Sequence, residues 1–297
     1  MRSRLARLAA LLAVGVLTGA LAGGCAVNGS VVATEQERRT IPADEAPFIL
    51  VETFNGRISV QGGADPVVEV RITRRGSGTS QDRAERDLEN VRIDVETAPD
   101  RIAITARRTG DPSASPGNSG ADLEVIVPAG ASVELRTSNG RVEAANVTGS
   151  IVVRTSNGSV TTRGGHDLDL DTTNGDVSVN GPEGRLRVST SNGGIDILSA
   201  RDVVLSARTS NAAIVFSGTL APGSHALATT NGDCSISLPG DAAFAIEGTT
   251  TNGTVRTDFP ALTLTDATIA GETAPAPAVR IVAATTNGDL SVLTQLP

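Results

Sequence analysis

Nine copies of one short phrase constrain what this chain can fold into. Each copy has a Thr, then a small residue or Phe, then an Asn that is usually followed by Gly. The Asn residues are Asn55, Asn139, Asn157, Asn174, Asn192, Asn211, Asn231, Asn252 and Asn287. From Asn139 to Asn252 the steps are 18, 17, 18, 19, 20 and 21 residues. A period of this length is typical of repeat architectures that stack.

Apolar and polar residues alternate on both sides of each Asn. Three residues after it stand Ile58, Val142, Val160, Val177, Ile195, Ile214, Cys234, Val255 and Leu290. Six residues before it stand Ile49, Val133, Ile151, Leu168, Leu186, Leu205, His225, Ile246 and Ile281. Mostly Arg, Asp, Glu, Ser and Thr lie between these columns. The period of two predicts two half-buried strands per repeat, joined by a bend at the Asn.

Two architectures fit this alternation. Asn-Gly between strands is a strong hairpin signal, which favours an antiparallel meander or barrel. Every copy, however, keeps both the Asn and the Thr two residues before it, whereas a hairpin would accept other turn residues. Identical polar residues in register can bond from coil to coil. We therefore predict an all-β, single-stranded β-solenoid (β-helix-like) with repeats of about 17–21 residues, in which Asn and Thr point inward. The meander or barrel remains the alternative.

The rest of the chain divides around this repeat. Residues 25–47 are polar and charged, which predicts a flexible tether, and residues 48–297 form the solenoid domain. Within it, regular coils are expected over about 124–257, an irregular segment over 258–278 and a last coil over 279–297 with an open final strand. Thr79–Asn90 has a hydroxyl start and an apolar pair one turn apart, which predicts one short helix. Residues 109–120 are rich in Gly, Pro and Ser, which predicts a flexible loop near the N-terminal end.

The N-terminus has the pattern of an export signal. Arg2, Arg4 and Arg7 precede an apolar run, and the run ends at the tetrapeptide Ala22-Gly23-Gly24-Cys25. This predicts a signal peptide over residues 1–24, and the tetrapeptide resembles a bacterial lipobox with Cys25 as the lipid attachment site. An ordinary cleavage site at Ala20-Leu21-Ala22 is the alternative. The expected location is that of an exported, membrane-anchored lipoprotein in the bacterial cell envelope, on the periplasmic or surface side.

Charge and aromatic content bear on the class of function. The formal net charge is −8, and removal of residues 1–24 with their three Arg and no acids makes it −8 − 3 = −11, which argues against a nucleic-acid partner. Enzymes that cleave polysaccharides on a β-helix use aromatic platforms that stack on sugars. This chain has five Phe and no Trp or Tyr, and Phe216 stands in an inward column, so the platform is expected to be missing.

Few residues qualify as catalytic groups or ligands. His225 occupies an inward column, His166 lies in a Gly-rich turn, and Cys234 replaces Val or Ile in a buried column. We expect no catalytic, cofactor-binding or metal residues and no cofactor. Asp167, Asp169 and Asp171 alternate along one strand, and they are interpreted as a solvated acidic stripe or, alternatively, as a calcium site. The Ser or Thr before most Asn residues favours bonding to the bend, with an ice- or surface-binding face as the alternative.

Several segments resemble one known family. The lipobox-like start, the segment VIVPAGASVELRTSNGRVEA at 125–144 and the closing TTNGDLSV at 285–292 are similar to bacterial β-strand-repeat proteins called putative adhesins, a domain of unknown function related to the GIN-type head domain. The resemblance covers roughly residues 48–297. It implies an envelope-exposed, β-helix-like domain without known catalysis, and it provides no binding residue that could be transferred to this chain.

These observations predict one function class and two rivals. The chain is expected to be an exported, lipid-anchored envelope protein that acts as a non-enzymatic binding, adhesion or structural module. Its partners would be the membrane, through the N-terminal lipid, and an envelope or surface component, either protein or polysaccharide. The rivals are an extracytoplasmic carbohydrate-active β-helix enzyme and an envelope-associated sensor or regulatory protein.

Overall fold

The structure is a computed structural model, and it describes residues 31–98, 100–109 and 118–295. The prediction of a flexible loop over 109–120 falls largely outside these ranges. The elements are, in chain order, β1 (Val31–Pro42), β2 (Phe48–Asn55), β3 (Ile58–Gly63), β4 (Val67–Gly78), α1 (Gln81–Glu89), β5 (Val91–Ala98), β6 (Arg101–Arg108), β7 (Gly120–Pro128), β8 (Ser132–Asn139), β9 (Val142–Ala145), β10 (Ile151–Asn157), β11 (Val160–Arg163), β12 (His166–Asp171), β13 (Val177–Asn180), β14 (Glu183–Ser189), β15 (Ile195–Arg208), β16 (Ile214–Leu220), β17 (Gly223–Ala228), β18 (Cys234–Leu238), β19 (Phe244–Thr249), β20 (Val255–Thr257), β21 (Thr263–Leu264), β22 (Thr268–Glu272), β23 (Val279–Ala284) and β24 (Leu290–Thr294).

Two parallel ladders build the domain, one from each half of the coils. The first ladder, sheet A, stacks the strands that precede each bend in the order β6, β2, β8, β10, β12, β14, β15, β17, β23, β19. The second ladder, sheet B, stacks the strands that follow each bend in the order β7, β3, β9, β11, β13, β15, β16, β18, β24, β20. The β-solenoid prediction is confirmed, and the antiparallel meander is wrong for these coils.

The core is a narrow layer between the two sheets. Alternate residues of each strand point inward and stack on the equivalent residue of the next coil, as in the column of Leu135, Val153, Leu170 and Val188. These side chains are fully buried or nearly so, while the residues between them are partly exposed. The space between two packed sheets is narrow and suits aliphatic side chains, which agrees with the abundance of Val, Ile and Leu in these columns.

The spatial order of the coils differs from their order in the chain. Strands β23 and β24, the last in the sequence, lie between the β17–β18 coil and the β19–β20 coil. The first coil, β2 and β3, likewise lies between the β6–β7 coil and the β8–β9 coil. The regular stack therefore extends beyond the predicted 124–257. The expected open strand is also not found, because β24 has a partner on each side.

Antiparallel strands and the helix close the N-terminal end of the stack. β5 pairs with β6, β4 pairs with β7, and β1 pairs with β4 over its whole length. Residues Val31–Pro42, within the predicted tether, are thus an ordered strand, because alternate residues Ala33 and Ile41 find a buried face. The helix, observed at Gln81–Glu89, confirms the predicted one, although its N-cap Ser80 makes no side-chain capping bond.

A short hairpin closes the C-terminal end. β22 runs antiparallel to β19 and also pairs with β21, so residues 258–278 contain more regular structure than expected. Phe259, Leu262 and Ile269 cover the core, and the ring of Phe259 meets that of Phe244 edge to face, with 5.1 Å between centroids. This contact replaces the apolar surface that a further coil would have provided.

The bend residues explain why the phrase repeats. The Thr of each copy is buried, and in eight of the nine copies its hydroxyl donates to a backbone carbonyl of the neighbouring coil. Thr155 is the exception, since its hydroxyl has no partner in the described part of the chain. In most copies the Gly after the Asn lies against the carbonyl group of the equivalent Gly in the neighbouring coil. A Cβ on Gly158, for example, would lie closer than 3.0 Å to the carbonyl oxygen of Gly140.

Candidate binding surfaces

The Asn side chains form a continuous ladder along the edge where the coils bend. Each amide Nδ2 donates to the Oδ1 of the next Asn, at 2.8 Å from Asn157 to Asn139 and at 2.7 Å from Asn192 to Asn174. The ladder runs through Asn139, Asn157, Asn174, Asn192, Asn211, Asn231, Asn287 and Asn252. The prediction of a ladder is therefore confirmed. The prediction that Asn points inward is wrong, because these side chains are exposed to solvent.

A column of hydroxyls runs beside this amide ladder. Its members are Ser138, Ser156, Thr173, Ser191, Ser210, Thr230, Thr286 and Thr251, and all are exposed. Within the part of the chain that the structure describes, these hydroxyls make no hydrogen bond to either side chains or backbone. The expectation that they bond to the bend is therefore not met. In the coil of β2, Phe54 takes the place of the hydroxyl.

One carboxylate of the acidic stripe on β12, that of Asp169, is paired with arginines from the neighbouring coils. Asp169 accepts hydrogen bonds from Arg154 at 2.5 Å and from Arg187 at 3.1 Å. Although partial burial opposes ionisation, these two guanidinium groups hold the pKa of Asp169 below its usual value, and the bond to Asp169 raises the pKa of Arg154. In the described ranges, no three His, Cys, Asp or Glu side chains cluster in a way that could hold a metal ion. Asp169 is thus part of an ion-pair network, and the two interpretations of the stripe, solvated or calcium-binding, stay predictions.

His225 and Cys234 both lie in the core, as predicted from their columns. The backbone N–H of Leu205 donates to His225 Nδ1 at 3.1 Å, while Nε2 lies 3.0 Å from the carbonyl oxygen of Ala221 and donates to it. The imidazole is therefore neutral, and burial lowers its pKa.

Burial also raises the pKa of the Cys234 thiol to about 12, so the thiol is not a nucleophile near neutral pH. His166 follows the turn at Gly164 and Gly165 and is exposed.

Acidification is expected to destabilise the protein through His225. Burial lowers the pKa of His225 in the folded protein, so below about pH 6.5 the unfolded chain binds a proton that the folded protein does not. The free energy of unfolding therefore falls as the pH drops from about 7 to 5. His225→Leu should remove this slope, while costing about 1–3 kcal/mol at pH 7.5 because the Leu205 N–H loses its acceptor. Urea unfolding at each pH measures both effects. Ser224→Ala, at the exposed non-titrating position next to His225, is the matched control and should keep the wild-type slope. An unchanged slope in His225→Leu would contradict the assignment.

Two phenylalanines lie on the outer face of one strand. Phe216 is buried, as predicted, and Phe244 and Phe259 are also in the core. Phe48 and Phe54 instead point outward from β2, because they alternate with the buried Ile49, Val51 and Thr53. The guanidinium of Arg101 lies 5.6 Å from the centroid of the Phe48 ring. Both rings are partly exposed, and the expected lack of an aromatic platform stays a prediction that ligand binding tests. The parity of Phe54 relative to Thr53 was the signal that could have placed this ring on the outer face.

A groove lies beside Phe54, where the outer face of sheet A meets the bend. Its volume is about 320 Å³, and it is lined by residues of β2, β8 and β10, namely Glu52, Thr53, Phe54, Arg136, Thr137, Ser138, Arg154, Thr155 and Ser156. The register places Glu52, Arg136 and Arg154 side by side in successive coils. A shallow surface of this kind combines an aromatic ring with hydrogen-bond donors and acceptors.

The remaining predicted site residue is Cys25. The lipid attachment predicted there lies outside the described residues, which begin at Val31. In the portion of the chain that the structure describes, none of the helices has the length and apolar character needed to cross a membrane.

The fold and the repeated bend define a class of protein, a β-solenoid with two strands per coil and an Asn ladder on one edge. The chain belongs to the Toastrack DUF4097 family, whose model matches residues 49–293. This agrees with the resemblance inferred from the repeated phrases. Among curated proteins, no sequence matches the chain.

Several solved structures are similar to this chain. They include a putative adhesin from Bacteroides fragilis, with 10% identity, a TM-score of 0.42 and coverage of 86% of this chain and 96% of that one. A putative adhesin from Parabacteroides merdae has 13% identity and a TM-score of 0.39, with coverage of 88% and 96% respectively. A putative lipid binding protein from Parabacteroides distasonis has 11% identity and a TM-score of 0.31, with coverage of 88% and 97%.

Proposed function

We propose that this protein is an exported, lipid-anchored module of the bacterial cell envelope that binds a partner without catalysing a reaction. One observation carries the proposal: the repeated residues hold the coils together, and the residues that vary between copies gather on the outer faces. The Thr hydroxyls and Asn amides bond from coil to coil. Glu52, Phe54 and Arg136, which are not repeated, line a groove on the surface. A rigid stack can present such a surface without a change of shape.

The ionisable groups support a binding role over catalysis. Arg154 and Arg187 are engaged with Asp169 on the outer face of sheet A. The buried imidazole of His225 has both nitrogens in hydrogen bonds, and the pKa of Cys234 is far above neutrality. General acid–base and nucleophilic catalysis need groups that titrate near the working pH and reach the substrate. Neither His225 nor Cys234 meets these requirements.

Lipid attachment at Cys25 would hold the domain close to the membrane. Strand β1 begins at Val31, six residues after Cys25, and a fully extended segment of that length spans about 20 Å. The N-terminal end of the stack, closed by β1 and α1, would therefore lie near the lipid headgroups. The mature net charge of −11 disfavours adsorption of the domain itself to anionic lipids, which leaves the acyl chain as the attachment.

Metabolic labelling tests this proposal. Cells that express the chain and are fed a labelled palmitate analogue should incorporate label into the protein, and Cys25→Ala should abolish incorporation. Cys234→Ala is the matched control, since the other thiol is buried, and it should leave the label unchanged. Label retained in Cys25→Ala would contradict the anchor. Release of reducing sugar ends from a panel of polysaccharides by the purified protein would contradict the non-enzymatic role.

A further inference from the structure

The geometry points to the groove beside Phe54 as a binding site for a neutral pyranose unit of a glycan, an inference that rests on the proposed binding function and specifies its ligand. The groove interrupts the regular pattern of the stack. Along the bend edge, the residue before the Asn is Ser or Thr in every copy except the first, where Phe54 stands near the end of β2. Strand β8 lies beside β2 there, and Asn55 is in register with Asn139. The aromatic ring is thus flanked by Ser138 and, one coil further, by Ser156.

An aromatic ring in this position would act as a stacking platform. Phe54 is partly exposed and packs at the margin of the core. Sugar rings present C–H groups on one face, and those groups gain from burial against an aromatic side chain. The other outward aromatic ring of the strand, Phe48, is already covered by Arg101. Phe54 is therefore the better placed of the two to receive a ligand.

The polar groups of the groove complement the hydroxyls at the edge of a sugar ring. Within the described part of the chain, the carboxylate of Glu52 makes no hydrogen bond or ion pair, so both its oxygens can accept. Arg136 uses Nε and Nη2 to bind Glu134, and its Nη1 group keeps two N–H donors. Ser138 and Ser156 each add a hydroxyl that can donate or accept.

The charge balance favours a neutral sugar over an acidic one. Arg136 is paired with Glu134, and Arg154 shares Asp169 with Arg187, so these five groups and Glu52 together carry no net charge. The lining residue that remains without a counter-ion is Glu52, so a uronate carboxylate would meet a like charge. The volume of about 320 Å³ lies at the lower end of the ~300–1,000 Å³ range of ligand pockets, which suits one or two rings of a longer chain.

Binding of defined oligosaccharides tests the site. We expect the purified mature chain to bind at least one of maltoheptaose, cellohexaose and chitohexaose in isothermal titration calorimetry, and to bind polygalacturonate more weakly. Phe54→Ser should weaken binding about tenfold, because the ring is lost. Because Phe54 packs at the margin of the core, Phe54→Ser is expected to lower the melting temperature, and affinities are compared at a temperature where both proteins are folded. Glu52→Gln should weaken binding without changing the volume of the side chain.

The matched control lies on the same edge, several coils away. Ser210→Ala removes one exposed hydroxyl of the column and should leave the affinity unchanged. Absence of binding to all three neutral probes, an equal affinity in Phe54→Ser, or a preference for polygalacturonate would overturn the inference. None of these outcomes affects palmitate labelling at Cys25, which tests the proposed anchor separately. Cleavage of a probe would instead contradict the non-enzymatic role and leave the site in place.

Discussion

A chain that ends at Ala278 is expected to lose cooperative folding. The truncation removes β23 and β24, and with them the buried side chains of Ile281, Leu290 and Val292. Burial of each contributes about 1.5–3 kcal/mol, so about 5–9 kcal/mol is lost from a net stability that is typically about 5–15 kcal/mol. The loss also separates the β19–β20 coil from the β17–β18 coil, because the missing coil lies between them. Thermal melting followed by circular dichroism, with dye binding to exposed apolar surface, measures the effect.

A substitution on the outer face of the same coil provides the control. Val282 is 55% exposed, and Val282→Ser should change stability by less than about 0.5 kcal/mol. If the coil were stacked at the end, the truncated chain would melt cooperatively close to the full-length temperature, and that result would contradict the inserted position.

A disulfide checks the inserted position independently. Cys234 and Leu290 are register partners on adjacent strands, about 4.8 Å apart, within the ~4.4–6.8 Å that a disulfide spans between Cα atoms. Leu290→Cys should therefore form a disulfide with Cys234 under oxidising refolding, as detected by mass spectrometry.

The fold of a single coil could be predicted from the sequence, but the order of the coils could not. Alternation around each Asn identified the inward columns, and the invariant Thr favoured parallel stacking over hairpins. The Thr and Asn bonds between coils are of one kind in most copies, however, so they do not specify which coil follows which. The irregular steps of 84 residues from Asn55 to Asn139 and 35 residues from Asn252 to Asn287 flank the two inserted coils. These two long steps were the feature of the sequence that could have indicated that the coils stack in a different order from their order in the chain.

The surface was less predictable, because its contacts join residues of different coils. Asp169 appeared as part of an acidic run, yet its partners Arg154 and Arg187 lie 15 and 18 residues away, one coil on each side. The Asn residues appeared buried because strict alternation was extended from Thr into the bend. The chain changes direction there, so the side-chain parity of the strand no longer applies. Phe54, by contrast, still lies on β2, and strand parity alone would have placed it outside.

The glycine that follows the Asn lies close to the backbone of the neighbouring coil, whereas the residue after it does not. Gly193→Ala is expected to destabilise the protein by about 2–4 kcal/mol, because the new Cβ would lie closer than 3.0 Å to the carbonyl oxygen of Gly175 and force two coils apart. Gly194→Ala should be neutral or stabilise by up to about 1 kcal/mol, since its Cβ would have no neighbour nearer than 3.8 Å. Chemical denaturation of the two variants measures the difference.

The adjacent pair separates the effect of space from that of backbone conformation. Neither glycine has a positive φ, so an alanine is not strained by its own dihedral angles at either position. Ala212 occupies the equivalent place one coil beyond Gly193, also without a positive φ, so the native stack already holds one Cβ at a bend and the Gly193→Ala effect measures how far the neighbouring backbone gives way. Equal stabilities for the two variants would mean that the coils can move apart at little cost. The Asn-Gly pair would then owe its repetition to the amide ladder alone, and not to close backbone stacking.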